Sequence, residues 1–253
     1  MQIEKDVERV IGMKKYFAVF ELGTGRSLIK ILLGAVIMIA AESILFFVIS
    51  DQGQTEFGWV LQHCHIDLVF IACSVFFTIA AVTTWKPKMR NDYSYDRLAM
   101  SKGKAFVMTS LAGAVVWLFY WLLQVIIVYC FYRYYMANFG RWSGLEIFAL
   151  FHDYPFLIDL FPMDRAGRWV MLLIRALCVG TGAATFEYRE LKGAGIIPII
   201  MVALSVLHDG YGPEHPLTVL FLGVLSAFAI LVIGAFAIKK AGDEDEQKGD
   251  DQK

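Results

Sequence analysis

The sequence predicts an all-α integral membrane protein of six transmembrane helices, with an interfacial helix at its N-terminus and a short cytoplasmic helix between the second and third spans. Three observations carry that reading. Of 253 residues, 58% are hydrophobic and 15% aromatic, well above the apolar share of a soluble domain. Five apolar runs, residues 27–50, 68–85, 105–132, 168–187 and 217–238, meet or nearly meet the roughly 20 residues a helix needs to cross about 30 Å of hydrocarbon. The basic residues, finally, fall almost entirely on alternate connections between those runs.

A sixth segment, GAGIIPIIMVALSVL at 193–207, is shorter and carries Pro198. It counts as a span, tilted or broken at the proline. Six crossings put both termini on one side. With the termini inside, 18 Lys and Arg residues lie in inner segments and 4 in outer ones, so the positive-inside rule orients both ends toward the cytoplasm of a multi-pass cell-membrane protein.

Residues 1–26 read as a cytoplasmic, interfacial element. Val10, Met13, Phe17 and Phe20 recur at helical spacing while Lys14, Lys15 and Glu21 fall mainly elsewhere around the helix, the pattern of a helix lying in the interface plane. Gly23 and Gly25 supply an elbow into the first span. The segment lacks the short apolar core and small-residue cleavage site of a signal peptide. Residues 27–238 form the spanning domain. Within it, residues 133–167 make a long outer loop whose Glu146, His152, Asp153, Pro155 and Asp159 keep it out of lipid; its aromatics suit one or two short interfacial helices. Residues 239–253 form an acidic polar tail with nothing to bury, expected to be disordered.

Several function classes lose support at this stage. A net charge of −1 gives no sign of nucleic-acid binding. Cys64, Cys73, Cys130 and Cys178 form no C-x-x-C pair and suggest no disulfide framework. HCHID at 63–67 offers His63, Cys64, His65 and Asp67, but consecutive ligands do not converge from one regular helix face, and a polar cap on the second span is the better reading. HDGYGPEHP at 208–216 groups His208, Asp209, Glu214 and His215 in a Gly- and Pro-rich outer turn. An outer-face enzyme using His208, Asp209 and His215, or His152 and Asp153, is one alternative function; a non-transporting immunity or scaffold protein is another. No G-x-x-x-x-G-K-[ST], G-x-S-x-G or H-E-x-x-H is present, so the chain is expected to hold no cofactor or metal and to borrow any ATP chemistry from a partner.

Ionisable groups inside spans are costly and mark candidate sites. Glu42, Gln124 and Arg175 each fall seven or eight residues from the outer end of an apolar run, about 10–12 Å deep at 1.5 Å per residue. The sequence therefore suggests one polar layer, a Glu42–Arg175 ion pair with Gln124 beside it. Such a pair serves either to hold the helices in register or to line a substrate path.

The inner loop from Asn91 reads NDYSYDRLAMSKGKAFVMTSL. Asp92, Ser94 or Asp96 can cap a short helix and Gly103 can end it. This segment resembles the loop between the second and third spans in the membrane subunits of type-2 ABC exporters, the ABC-2 permeases. There an aromatic or apolar residue, a Leu, a small residue or Pro, an apolar residue, Ser and a basic residue lead into the third span. Tyr95, Leu98, Ala99, Met100, Ser101, Lys102, Phe106 and Val107 read onto that pattern, with Ala99 where the family commonly has Pro. The resemblance extends in outline to the N-terminal helix and the six-span count. It implies that Tyr95, Arg97, Leu98, Met100, Ser101 and Lys102 belong to a coupling helix docking on a separate ATPase subunit. Two such ATPase copies, carrying ATP and Mg, would drive two permease subunits, identical or paired with a similar one, to export an amphipathic peptide, lipid or hydrophobic drug.

Overall fold

In the computed structural model, residues 27–50, 57–83, 102–139, 155–161 and 166–187 are described, together with 196–200, 202 and a few positions between 225 and 235. Every regular element among them is helical. The N-terminal segment, the coupling residues 95–101, the tail and the 208–216 turn lie outside the described residues.

Six helices, with a further helical stretch at 196–200, organise the described part: α1 (Ser27–Ser50), α2 (Phe57–His63), α3 (Ile66–Val82), α4 (Lys102–Phe139), α5 (Pro155–Leu160) and α6 (Ala166–Glu187). Segments within α1, α4 and α6 are long and apolar enough to cross a membrane, and α2 with α3 makes a fourth candidate bent by 50°. The chain is an all-helical protein of membrane-spanning character.

α1 coincides with the first apolar run. Its ridge of Leu28, Ile29, Leu32, Leu33, Val36 and Ile37 faces outward from the bundle, as a lipid-facing surface does, while Ala35, Met38, Glu42 and Phe46 turn inward. The 3.6-residue repeat places those four on one face.

α4 outruns the sequence expectation at its C-terminal end, continuing past residue 132 through YRYYMANF to Phe139. An apolar run stops at its first charged residue, here Arg133, but the backbone ladder does not, and amphipathic Tyr residues continue a helix readily at the headgroup level. The connection that follows is correspondingly shorter than 133–167. Within it α5 tucks Phe156, Leu157 and Leu160 into the core, with Phe156 6.2 Å from Phe70 of α3.

The second span departs most from expectation. Helix begins at Phe57, breaks at Cys64 and His65, and resumes at Ile66. His65 adopts the left-handed conformation, φ 48° and ψ 39°, a region that non-glycine residues other than Asn, Asp and His seldom enter. HCHID is thus the hinge of a bent helix pair, where the sequence reading made it an end cap. His63 Nδ1–H donates to the Trp59 carbonyl at 2.9 Å and its ring stacks on Trp59 at 3.7 Å, while Cys64 is buried with Sγ 3.6 Å from the Leu45 carbonyl.

Two seams hold the bundle. In membranes, close packing of small residues replaces the hydrophobic drive between helices. α4 and α6 meet in this way: a Cβ on Gly113 would lie 2.9 Å from the Gly180 Cα, and one on Gly180 would meet the Ser110 carbonyl oxygen and lie 2.6 Å from the Ala114 nitrogen. Ala112, Ala114, Ala183, Ala184 and Thr185 continue the seam, all buried. The second seam joins the start of α1 to the end of α3. The terminal carbonyls of a helix lack intrahelical donors; here Ser27 Oγ donates to the Ala81 carbonyl at 2.9 Å and Lys30 Nζ to that of Ala80 at 3.3 Å. The lysine also places positive charge at the negative end of the α3 dipole.

Toward the other end of α1, an aromatic cluster ties α1, α2 and α4 together. Phe46 stacks on Phe131 at 4.3 Å with rings 1° from parallel, and Phe57 packs 5.5 Å from both Tyr132 and Tyr135.

Candidate functional site: a buried polar pair on α1 and α4

Glu42 and Gln124 are both fully buried, at 0% exposure. They reach the same place because both lie on inward faces, Glu42 four residues from Met38 and Phe46 on α1, Gln124 four from Tyr120 and Val128 on α4. Gln124 Nε2 donates to Glu42 Oε2 at 3.0 Å. That bond joins two helices 82 residues apart in the chain. A carboxylate so placed is expensive unless its oxygens are answered, and Gln124 answers one of them. Glu42 Oε1 and Gln124 Oε1 are buried without a hydrogen-bond partner among the described residues.

One turn along α4 from Gln124, Tyr120 donates its hydroxyl across to the Ile31 carbonyl at 2.9 Å. A Cβ on Gly34 would sit 2.5 Å from that hydroxyl and 2.8 Å from Phe77 Cβ, so glycine is what lets α1, α3 and α4 close here. The Tyr120 crosslink was not among the sequence candidates. Its only signal is the i, i+4 spacing to Gln124, which marks a shared face but not a partner.

Arg175 is 7% exposed on α6 and is engaged in interactions of its own, but it does not meet Glu42. The ion pair expected from sequence is replaced by the Glu42–Gln124 bond. The cause is register. α4 and α6 run antiparallel, since Gly180 meets Ser110 through Ala114 while Trp169 meets Trp121 at a ring distance of 6.1 Å. Counting five residues up α6 from Gly180 puts Arg175 level with about residue 118 of α4, and Gln124 about 9 Å farther along. Depth measured from the end of each apolar run assumes that the runs end level, and these do not.

The stretch of α4 around Gln124 carries further unanswered groups. Trp117 Nε1 and Trp121 Nε1 are buried donors without partners among the described residues, as is Nη1 of Arg168, the neighbour of Trp169 on α6. Among the described residues no three His, Cys, Asp or Glu side chains gather as a metal group; His152, Asp153, His208, Asp209, Glu214 and His215 lie outside them.

A comparison with family models, curated proteins and solved structures finds no match to this chain. What fold and site define together is a class: a helical membrane protein whose core holds a buried polar pair.

Proposed function

We propose that the chain is the membrane-spanning permease subunit of an ABC exporter, with six spans, both termini in the cytoplasm, and a coupling helix around Tyr95–Lys102 that docks on a separate ATPase. The observation that carries the reading is the continuity of α4. It starts at Lys102, the last of the coupling residues, and runs unbroken for 38 residues to Phe139, carrying Gln124 on its inward face. A continuous helix carries displacement along its length. A push on its inner end by ATP-driven closure of the partner reaches the Glu42–Gln124 bond with little loss. Two permease subunits and two ATPase copies, the latter holding ATP and Mg, then form the working unit in the lipid bilayer. The path for an amphipathic cargo lies beside the polar pair.

Co-purification tests this. Expressed in its native host with an affinity tag, the chain is expected to bring down an ATPase carrying a phosphate-binding G-x-x-x-x-G-K-[ST] loop, and Leu98→Asp with Lys102→Glu is expected to release it. A chain that folds, inserts and retains no ATPase, or retains one regardless of these substitutions, refutes the proposal.

A further inference from the structure

Glu42 and Gln124 are each fully buried and are joined by one bond, from Gln124 Nε2–H to Glu42 Oε2 at 3.0 Å. That bond leaves over one oxygen on each side chain. Glu42 Oε1 and Gln124 Oε1 are both buried and both without a hydrogen-bond partner among the described residues. An ionised carboxylate and an amide oxygen only accept, so as an anion Glu42 can satisfy neither its own second oxygen nor that of its partner. Each leftover oxygen is one carbon away from an atom of the existing bond, and the terminal torsions of Glu and Gln are broad and soft. The pair is one donor short.

It is also one positive charge short. A buried ion is tolerated beside a counter-charge and is otherwise neutralised. Glu42 accepts from Gln124 alone among the described residues. On its own helix, Lys30 lies about 18 Å away along the axis and donates to the Ala80 carbonyl. On α3, residues 68–82 hold no cation; Cys73, one turn from the Phe77 that packs on Gly34, is a thiol, and Asp67 is itself an acid. His63 and His65 at the hinge are exposed. On α4, residues 105–132 hold no cation, Tyr120 is an uncharged donor bonded to the Ile31 carbonyl, and Arg133 is exposed. On α6, Arg175 does not meet Glu42 and has interactions of its own, and Arg168 Nη1 and Glu42 Oε1 are each without a partner, so those atoms do not bridge. The apolar runs at 193–207 and 217–238 contain no Lys, Arg or His. A divalent metal takes six or more oxygen ligands, and no three His, Cys, Asp or Glu side chains gather among the described residues. A water molecule would supply hydrogen bonds and leave the charge in place. A proton supplies both the donor and the charge, and needs no cavity.

We propose that Glu42 is a proton-binding site: it takes one proton from solvent onto Oε1, is held as a neutral carboxylic acid at neutral pH, and donates that proton to Gln124 Oε1 while Gln124 Nε2–H continues to donate to Oε2. Acid and amide then close a ring of two hydrogen bonds in which both leftover oxygens are satisfied. The contact between α1 and α4 is thereby linked to protons. Parting the two helices opens the ring and frees the acid to ionise, and closing them takes a proton up again. The site does not depend on the permease reading, since it follows from the Glu42–Gln124 pair whatever the chain moves or binds.

The test is infrared difference spectroscopy of the purified full chain in lipid nanodiscs near neutral pH, comparing the parent with Glu42→Gln and Gln124→Leu. A neutral carboxylic acid has a carbonyl stretch clear of the amide bands, a carboxylate has none there, and an exposed Glu, which titrates near about 4.3, is ionised under these conditions. The parent is expected to show this stretch, moved to lower frequency in heavy water. Glu42→Gln is expected to lose it. Gln124→Leu is expected to keep it and move it to higher frequency, because the acid carbonyl loses its N–H donor. A parent without the neutral-acid band, which is how a water-bridged carboxylate reads, overturns the proposal; so does a band that survives Glu42→Gln or is unmoved by Gln124→Leu. If either variant fails to fold, isotope labelling of the glutamate carboxyl carbons in the unaltered chain decides, since Glu42 is the one Glu within the candidate spans: a band that moves with the label supports the site, and one that does not overturns it. The spectrum is read without the ATPase, so its failure leaves co-purification as a separate test of the permease.

Discussion

The contact between Gly113 and Gly180 gives the sharpest quantitative expectation. Replacing Gly180 by Ala adds one methyl group in a space bounded by backbone: the new Cβ would meet the Ser110 carbonyl oxygen and lie 2.6 Å from the Ala114 nitrogen and 3.1 Å from the Ala114 Cβ. Ordinary contacts of this kind begin near 3.4 Å, so α4 and α6 must separate by nearly an ångström, and neither obstructing backbone atom can rotate aside. Overpacking of a close-packed site costs typically about 1–3 kcal/mol, and this one belongs at the upper end. Alanine recovers about 1 kcal/mol as the better helix former. The net expectation is a loss of about 2 kcal/mol, close to a thirtyfold fall in the folded-to-unfolded ratio. Gly113→Ala, whose nearest obstacle is the Gly180 Cα at 2.9 Å, should lose less. Gly234→Ala, with nothing within 4 Å of its Cβ, should be neutral or slightly stabilising. Reversible unfolding of all three in mixed micelles with increasing dodecyl sulfate reads the order directly. A Gly180→Ala protein as stable as the parent would show that α4 and α6 do not approach at this point, and the antiparallel register that separates Arg175 from Glu42 would fall with it.

Two further substitutions probe the polar pair's surroundings and the hinge. Tyr120→Phe removes one cross-helix hydrogen bond without changing shape, and should cost about 0.5–1 kcal/mol in the same unfolding titration; an unchanged midpoint would mean that the bond to Ile31 is not formed in the membrane. His65→Val forces a β-branched residue into the left-handed region and should destabilise by about 1–2 kcal/mol, whereas His65→Gly should be neutral or stabilising; equal effects would argue against a left-handed hinge.

The success and failure of sequence reasoning divide along physical lines. The first apolar run and α1 both cover residues 27–50, because a segment that must satisfy its own backbone in hydrocarbon can do so only as a helix. Glu42, Gln124 and Arg175 could be singled out because a polar group within an apolar run is rare and costly wherever it points. In the structure all three are buried, at 0%, 0% and 7% exposure. What they touch was not. Gln124 rather than Arg175 answers Glu42 because partner choice depends on how far each helix slides along its neighbour. That sliding is decided where Gly113 meets Gly180, a contact between two helices that no stretch of sequence around Glu42 contains.

Composition and the lengths of the apolar runs by themselves determined that this chain is helical and membrane-spanning, since the cost of an unpaired backbone group in lipid acts residue by residue and needs no knowledge of neighbours. Tertiary structure alone decided the bend at His65, the crosslink from Tyr120 to Ile31, and the bond from Gln124 to Glu42. Each of these depends on axial register and on which face meets which, quantities set by contacts between distant segments and invisible to any local window.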